Sequence, residues 1–318
     1  MPAWAMKGMP KGLGLACAAG MTSGIVVLSV ISGGKLGFLL AYLAALPLML
    51  VGLAFGTASV SAAIVVGTAV VAAAGFAAVP AFWVLAGAPA LVLSAAALRR
   101  KNGPDGAAIW PGAGEIVLAL AAGAVVIMGL VCLAIPSEAG KTIEATLGDQ
   151  AAPMFRAVWP EATPDLQAAI VAMSVAVMPS IVGAAWFMMT LLNGLAAGWA
   201  VRHAGKALRP MPDAAGLTVP LWLAVLAGLA FTGRLLGGNL GYLAQNAAIL
   251  LMLPFMVAGL TDVHRMLRAT NLAGLWLGLF YGVFIALFGW AAMAVTAWGL
   301  VRQCIRLRRA QPAQDQED

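Results

Sequence analysis

The sequence predicts an all-α fold, a polytopic transmembrane helical bundle of about ten membrane helices, some short or kinked. Three observations carry that prediction. Apolar residues make up 63% of the chain and charged residues only 9%, where soluble domains carry about 25% charge. Long runs are free of charge, notably 36–56, 57–98 and 272–301, and a membrane helix needs about 20 such residues. The basic residues fall between the apolar runs. They group as Lys7 and Lys11; Arg99, Arg100 and Lys101; Arg202, Lys206 and Arg209; Arg265 and Arg268; and Arg302, Arg306, Arg308 and Arg309. Only Lys35, Lys141, Arg156 and Arg234 lie outside these groups. The positive-inside rule places all five groups, and both termini, in the cytoplasm.

The elements follow in order. The first helix is expected at about 12–32. It follows two lysines as a signal peptide would, but lacks a cleavage site of small residues and leads straight into another span, so it reads as retained. The second covers about 36–55 with Pro47 inside, the third 57–76 and the fourth 78–100. The turn formers Asn102, Gly103, Pro104, Asp105 and Gly106 make a loop before a fifth helix at about 115–135. Residues 136–165 form the longest polar stretch, and its acids Glu138, Glu144, Asp149, Glu161 and Asp165 suit the outer face. Within it Ile143, Leu147, Met154, Phe155 and Val158 recur at near-helical spacing. Two structures suit this pattern: a short amphipathic helix on the interface anchored by Trp159, or a loop with a few docked apolar residues.

The sixth helix is over-long. No charge occurs between Asp165 and Arg202, about 54 Å of helix against a hydrocarbon core of about 30 Å. It must tilt, kink at Pro179 or project from the bilayer. Helices seven and eight follow at about 217–235 and 241–263. The run 272–301 is long enough for one tilted span, which would put the arginines at 302–309 outside. Two helices, about 271–287 and 289–307 with a break near Gly289, return the tail to the cytoplasm. The domain organisation expected is one integral membrane domain, 1–310, with the outer-face polar segment 136–165, and a short polar cytoplasmic tail, 311–318.

Several functions are disfavoured. The basic groups lack the aromatic-laced basic domain of a nucleic-acid binder. Of Cys17, Cys132 and Cys304 only Cys132 lies near the outer face, so no disulfide framework is expected. The two histidines, His203 and His264, have no ladder of cysteines or carboxylates with metal-ligand spacing, so neither a metal site nor a cofactor is expected. No Ser-His-Asp arrangement, phosphate loop or HExxH occurs, and the protein is not expected to be an enzyme.

The order of motifs resembles a known family. Tyr42 precedes Leu46-Pro47-Leu48 and Gly52-Leu53-Ala54-Phe55-Gly56. Pro179, Asn193-Gly194, Arg209-Pro210 and Val219-Pro220-Leu221-Trp222 come next, then Leu253-Pro254-Phe255, Gly259-Leu260, His264, Gly299 and an Arg-rich end. Over about 13–309 this resembles the YybS-like family of uncharacterised bacterial integral membrane proteins. The resemblance implies a multi-pass protein of the bacterial cytoplasmic (inner) membrane. It also implies a gene often placed beside ribosomal-protein genes, no family catalytic residues, and a distant similarity to the substrate-binding membrane subunits of energy-coupling-factor transporters.

Polar side chains inside a membrane are costly and mark functional candidates. Arg234, Asn239, Gln245 and Asn246 gather around one outer turn, where guanidinium and amide groups would suit an anionic or amide-bearing small molecule. The same residues suit headgroup snorkelling and helix capping. Asn193 suits either ligand contact or a helix–helix hydrogen bond. Asp262 and His264 sit together in a cytoplasmic turn, which suits a proton-relay pair or capping and solvation. Glycines recur four apart at 20/24, 52/56, 194/198, 233/237/241 and 274/278/282, a spacing that lets helices approach closely. The last set is the clearest, suited to internal packing or to a partner. Leu46-Pro47 with Gly52-Leu53 matches Leu253-Pro254 with Gly259-Leu260, as a duplication would. Small-molecule binding or transport is the leading expectation, and a non-transporting membrane scaffold or assembly factor the alternative. The partners expected are the lipid bilayer, a small-molecule ligand, and a membrane or cytoplasmic protein on the basic face; nucleic acid is not among them.

Overall fold

The computed structural model describes residues 12–33, 37–103, 106, 108–136, 140–213 and 217–310. The fold is all-α. Among the described residues one two-stranded antiparallel ladder, β1 (Lys101–Asn102) with β2 (Ala108–Ile109), closes the loop expected around Gly103. Among the described residues six helices are long and apolar enough to cross a membrane, or up to seven if a bent pair at the C-terminal end is one span. The expected tail 311–318 and Lys7, Lys11 and Glu138 lie outside the described residues.

The helices are α1 (Leu13–Ile31), α2 (Gly37–Leu43), α3 (Leu46–Phe55), α4 (Thr57–Ala74), α5 (Val79–Phe82), α6 (Ala88–Leu98) and α7 (Ala113–Leu133). Next come α8 (Ile143–Val158), α9 (Pro164–His203), α10 (Trp222–Thr232), α11 (Gly238–Leu251), α12 (Leu253–Arg268), α13 (Ala273–Ala286) and α14 (Phe288–Ala310). Every expected apolar run therefore has a helical counterpart. The polar stretch resolves in favour of a helix, α8, with Thr142 as its N-cap accepting from the Ala145 N–H at 3.2 Å.

Proline explains where expected single helices divide. Pro47 lacks an N–H and its ring clashes with the carbonyl four residues back, Leu43. The helix stops at Leu43 and restarts at Leu46, with Pro47 in the first turn of α3, where its missing donor costs nothing. Pro254 does the same in α12, after a turn at Met252. The repeated Leu-Pro motif thus produces one local device twice. Before α6 a π turn spans Trp83–Gly87. Such a turn would pair the Val84 carbonyl with residue 89, which is Pro89 and has no N–H. The Trp186 indole Nε1 donates to that carbonyl instead, at 2.8 Å.

Two compact units emerge: Met1–Gly123 with Trp186–Asp213, and Ala124–Ala185 with Ala214–Asp318. The 40-residue α9 contributes to both, which accounts for a length no single span requires. In the first unit α1 packs along α4, where Gly20 lies against the Ala63 backbone and a β-carbon on Gly24 would sit 3.2 Å from the Gly67 carbonyl oxygen. Val27, Val60, Ile64, Val71 and Phe82 fill its core. In the second unit α12 packs along α14 with Gly259 against Val295 and Gly299 against Phe255, while α11 packs on α10.

The expected break near Gly289 falls at Leu287, where the chain bends by 118° between α13 and α14. Only Phe284 of α13 is buried, and nothing lies within 4 Å of where β-carbons on Gly274, Gly278 or Gly282 would stand. The clearest glycine series in the sequence therefore packs against no part of the described chain.

Candidate functional site

Four of the expected site residues lie in the second unit. Arg234 belongs to a 3-10 turn, Gly233–Leu236, that follows α10. Gly237 and Gly238 then turn the chain into α11 with φ of 68° and 55°, left-handed values that suit glycine. The turn presents two side chains to the start of α8. The Asn239 Oδ1 accepts from the Ile143 N–H at 2.7 Å, satisfying one of the orphan donors of that helix end. The Arg234 guanidinium donates to both carboxylate oxygens of Glu144, at 3.0 and 3.4 Å. Arg234 and Asn239 thus clamp the N-terminus of α8. Glu144, the partner of Arg234, could not be found from the sequence, because 90 residues separate the pair.

Behind this clamp is a cavity of about 690 Å³ between α8 and the first turns of α9. Its α8 side carries Thr142, Glu144, Asp149 and Arg156, and its α9 side Gln167 with Ala168, Val171, Ala172 and Val175. Lys141 pairs with Asp149 at 3.0 Å. Gln167 donates to the Trp159 and Ala162 carbonyls at 3.0 and 3.1 Å, tying the α8–α9 turn together. One wall therefore holds both signs of charge and the other is mostly apolar.

Asn246 is fully buried and meets α9 at its proline. Pro179 has no N–H, so the Val175 carbonyl loses its helical donor. The Tyr242 hydroxyl donates to that carbonyl at 2.6 Å. One turn along α11, the Asn246 amide joins the next pair of groups: Oδ1 accepts from the Ser180 N–H at 2.9 Å, and Nδ2 donates to the Ala176 carbonyl at 3.1 Å. Tyr242 and Asn246, at i and i+4, therefore mend the backbone that Pro179 opens. An orphaned carbonyl four residues before a mid-helix proline was the available signal for this pair. Asn246→Leu removes both partners and is expected to destabilise by about 1–2 kcal/mol, read as a lowered melting temperature in detergent, with Gln245→Leu as control. Gln245 is half-buried beside it.

Asn193 lies in the first unit, buried, with Nδ2 donating to the Tyr42 carbonyl. That places it between helical segments of its own unit, apart from the α8 clamp.

Two basic groups gain definition. In the second unit Asp262, buried in α12, accepts from Arg265 at 2.9 Å, Arg302 at 3.2 Å and Arg306 at 2.8 Å. Its neighbour His264 turns to the Tyr281 hydroxyl at 3.1 Å instead, so the two do not form a proton-relay pair. In the first unit Arg209 donates to the Ala97 and Pro111 carbonyls at 2.7 and 2.9 Å, and burial pulls its pKa below the usual arginine value.

Long apolar helices, intramembrane prolines mended by buried polar side chains, and glycine-tight crossings define a multi-pass helical membrane protein. The family model described as "Predicted membrane protein (DUF2232)" matches residues 21–301, and the chain belongs to that family. No curated protein and no solved structure matches the chain.

Proposed function

We propose that this chain is a small-molecule binding or transport protein of the bacterial inner membrane, YybS-like, with both termini cytoplasmic and its ligand held at the outer face beneath α8. The observation that carries the reading is the cavity of about 690 Å³ under that helix. Its volume falls in the range of about 300–1,000 Å³ typical of ligand sites. Glu144, Asp149 and Arg156 offer both signs of charge opposite an apolar wall, an arrangement suited to a zwitterionic or polar molecule with an apolar portion. Arg234 and Asn239 act on this site by seating the start of α8. The reading is one of binding rather than catalysis. The rival scaffold reading rests on the shortage of buried ionisable residues and on the basic inner face.

Native mass spectrometry of the protein extracted gently from its own membrane tests the proposal. A co-purifying small molecule is expected. Added back to the purified protein, it should raise the melting temperature, and Arg234→Ala should abolish that rise while the fold persists. The Arg234–Glu144 pair is partly exposed, with 41% and 31% of the side chains accessible, so its loss alone costs under about 1 kcal/mol. A ligand response unchanged in Arg234→Ala would remove Arg234 from the site. A bound protein with no small molecule would replace the proposal with the scaffold reading.

A further inference from the structure

In the first unit, the last turns of α9 border a second cavity. Helix α9 ends in a Schellman motif: the Gly205 N–H donates to the Arg202 carbonyl and the Lys206 N–H to the Val201 carbonyl, both at 3.0 Å, with Gly205 at φ 65°. This cap reverses the chain and lays residues 206–213 back against α3 and α6. Arg209 pins the returning segment through the Ala97 and Pro111 carbonyls, and the Lys206 ammonium lies over the Phe55 ring, 5.8 Å from its centroid. A cavity of about 100 Å³ remains beneath the segment.

The cavity is apolar along its length and basic at one end. Leu191, Gly194, Leu195, Gly198 and Val201 line it from α9, a single helical face about 15 Å long. Gly198 leaves the room: a β-carbon there would find its nearest neighbour, the Met211 sulfur, only at 4.0 Å. Arg202 and Arg209 stand at the end where α9 stops. Arg202 and Lys206 are exposed and form no ion pair among the described residues. Arg99, Arg100 and Lys101 follow the end of α6, whose Ala97 carbonyl Arg209 holds. The described acids on these elements are Glu115 and Asp213, both exposed.

We propose that this cavity is a binding site for an anionic phospholipid, with part of one acyl chain in the apolar slot and the phosphate on Arg202 and the remaining N–H groups of Arg209. The apolar lining of the slot gains by contact with hydrocarbon. A chain that merely passes along the bilayer surface of a membrane protein needs no cation beside it. The basic end is the complement of a phosphate group, and guanidinium is the side chain that meets phosphate with paired N–H donors. The occupant is a bilayer lipid because the slot opens where an apolar helix face meets a basic surface, the depth at which a lipid headgroup joins its chains. This site is independent of the cavity beneath α8.

The test uses the full-length protein purified in a neutral detergent and titrated with phosphatidylglycerol or phosphatidylcholine. Retained lipid is counted by native mass spectrometry. The wild-type protein is expected to retain phosphatidylglycerol in preference to phosphatidylcholine. Gly198→Leu fills the slot, and the double variant Arg202→Gln, Lys206→Gln weakens the basic end without touching the Arg209 staple. Each is expected to bind phosphatidylglycerol about tenfold more weakly or worse. Equal retention of the two lipids by the wild type overturns the proposal, as does unchanged phosphatidylglycerol retention in either variant. Melting temperatures without lipid are measured in parallel. If Gly198→Leu does not fold, the exposed double variant decides the matter alone.

Discussion

Asp262→Ala is expected to lower the stability of this protein by about 3–5 kcal/mol, the cost of breaking a buried ionic cluster from one side. The carboxylate is 4% exposed and faces three guanidinium groups, Arg265 at 2.9 Å, Arg302 at 3.2 Å and Arg306 at 2.8 Å. Without it the arginines confront one another with no counter-charge between them. The damage spreads to the chain entering α10. Arg306 also donates to the Leu217 carbonyl at 2.8 Å, while Gln303 accepts from the Val219 N–H and donates to the Leu217 carbonyl, each at 3.3 Å. Melting temperatures in a neutral detergent, at low and high salt, provide the measurement. The loss should be greatest at low salt, because salt screens repulsion among the partly exposed arginines. Arg265→Gln serves as the control, since Arg265 is 48% exposed and Asp262 would keep two partners; it should cost about 1 kcal/mol or less. If Asp262→Ala and Arg265→Gln melt together, the cluster does not anchor the fold.

Gly299→Ala is the second large effect expected, and Gly278→Ala its opposite. A β-carbon on Gly299 would overlap the Phe255 carbonyl oxygen and stand 2.9 Å from the Gly259 nitrogen. Both neighbours are backbone, so no rotamer change relieves the clash. Either α14 moves off α12 or the helices bend, a cost of about 1–3 kcal/mol or more. Gly278 sits on α13 with nothing within 4 Å of the same position. There alanine only improves helix propensity, by up to about 1 kcal/mol. The melting order expected is Gly278→Ala at or above the wild type, with Gly299→Ala well below it. A Gly278→Ala variant that melts as low as Gly299→Ala would mean that α13 has a packing partner in the purified protein.

These glycines mark the boundary between what the sequence discloses and what it does not. Glycines 20, 24, 52, 274, 278 and 282 all stand in four-residue series, yet the first three meet another segment closely and the last three meet nothing. Gly259 and Gly299, at the tightest crossing of the second unit, belong to no expected series. Spacing along one helix describes one face, whereas close approach depends on which second helix arrives there. The same limit applied to the candidate site. Arg234 and Asn239 were legible as polar groups near an outer turn, because lipid leaves few places for such residues. Their engagement with the start of α8 was not legible, because Glu144 and Ile143 lie roughly a hundred residues away in the chain. Asn246 stands out in the sequence by its cost inside a membrane. The backbone opened by Pro179 shows what meets that cost, and it makes Asn246 a structural partner of α9.

The all-α membrane fold, the order and approximate limits of its helices, and a helical break near Gly289 can be read from the sequence alone. These follow from local chemistry: apolar run length, the missing N–H of proline and the placement of basic residues between runs. Packing adds what the sequence leaves open: α9 serves two units, Asp262 gathers three arginines, and cavities lie beneath α8 and beside the end of α9. Each of those features is made by groups far apart in the chain. Their energies come from burial and pairing that exist only once the helices have packed, and so no local pattern encodes them.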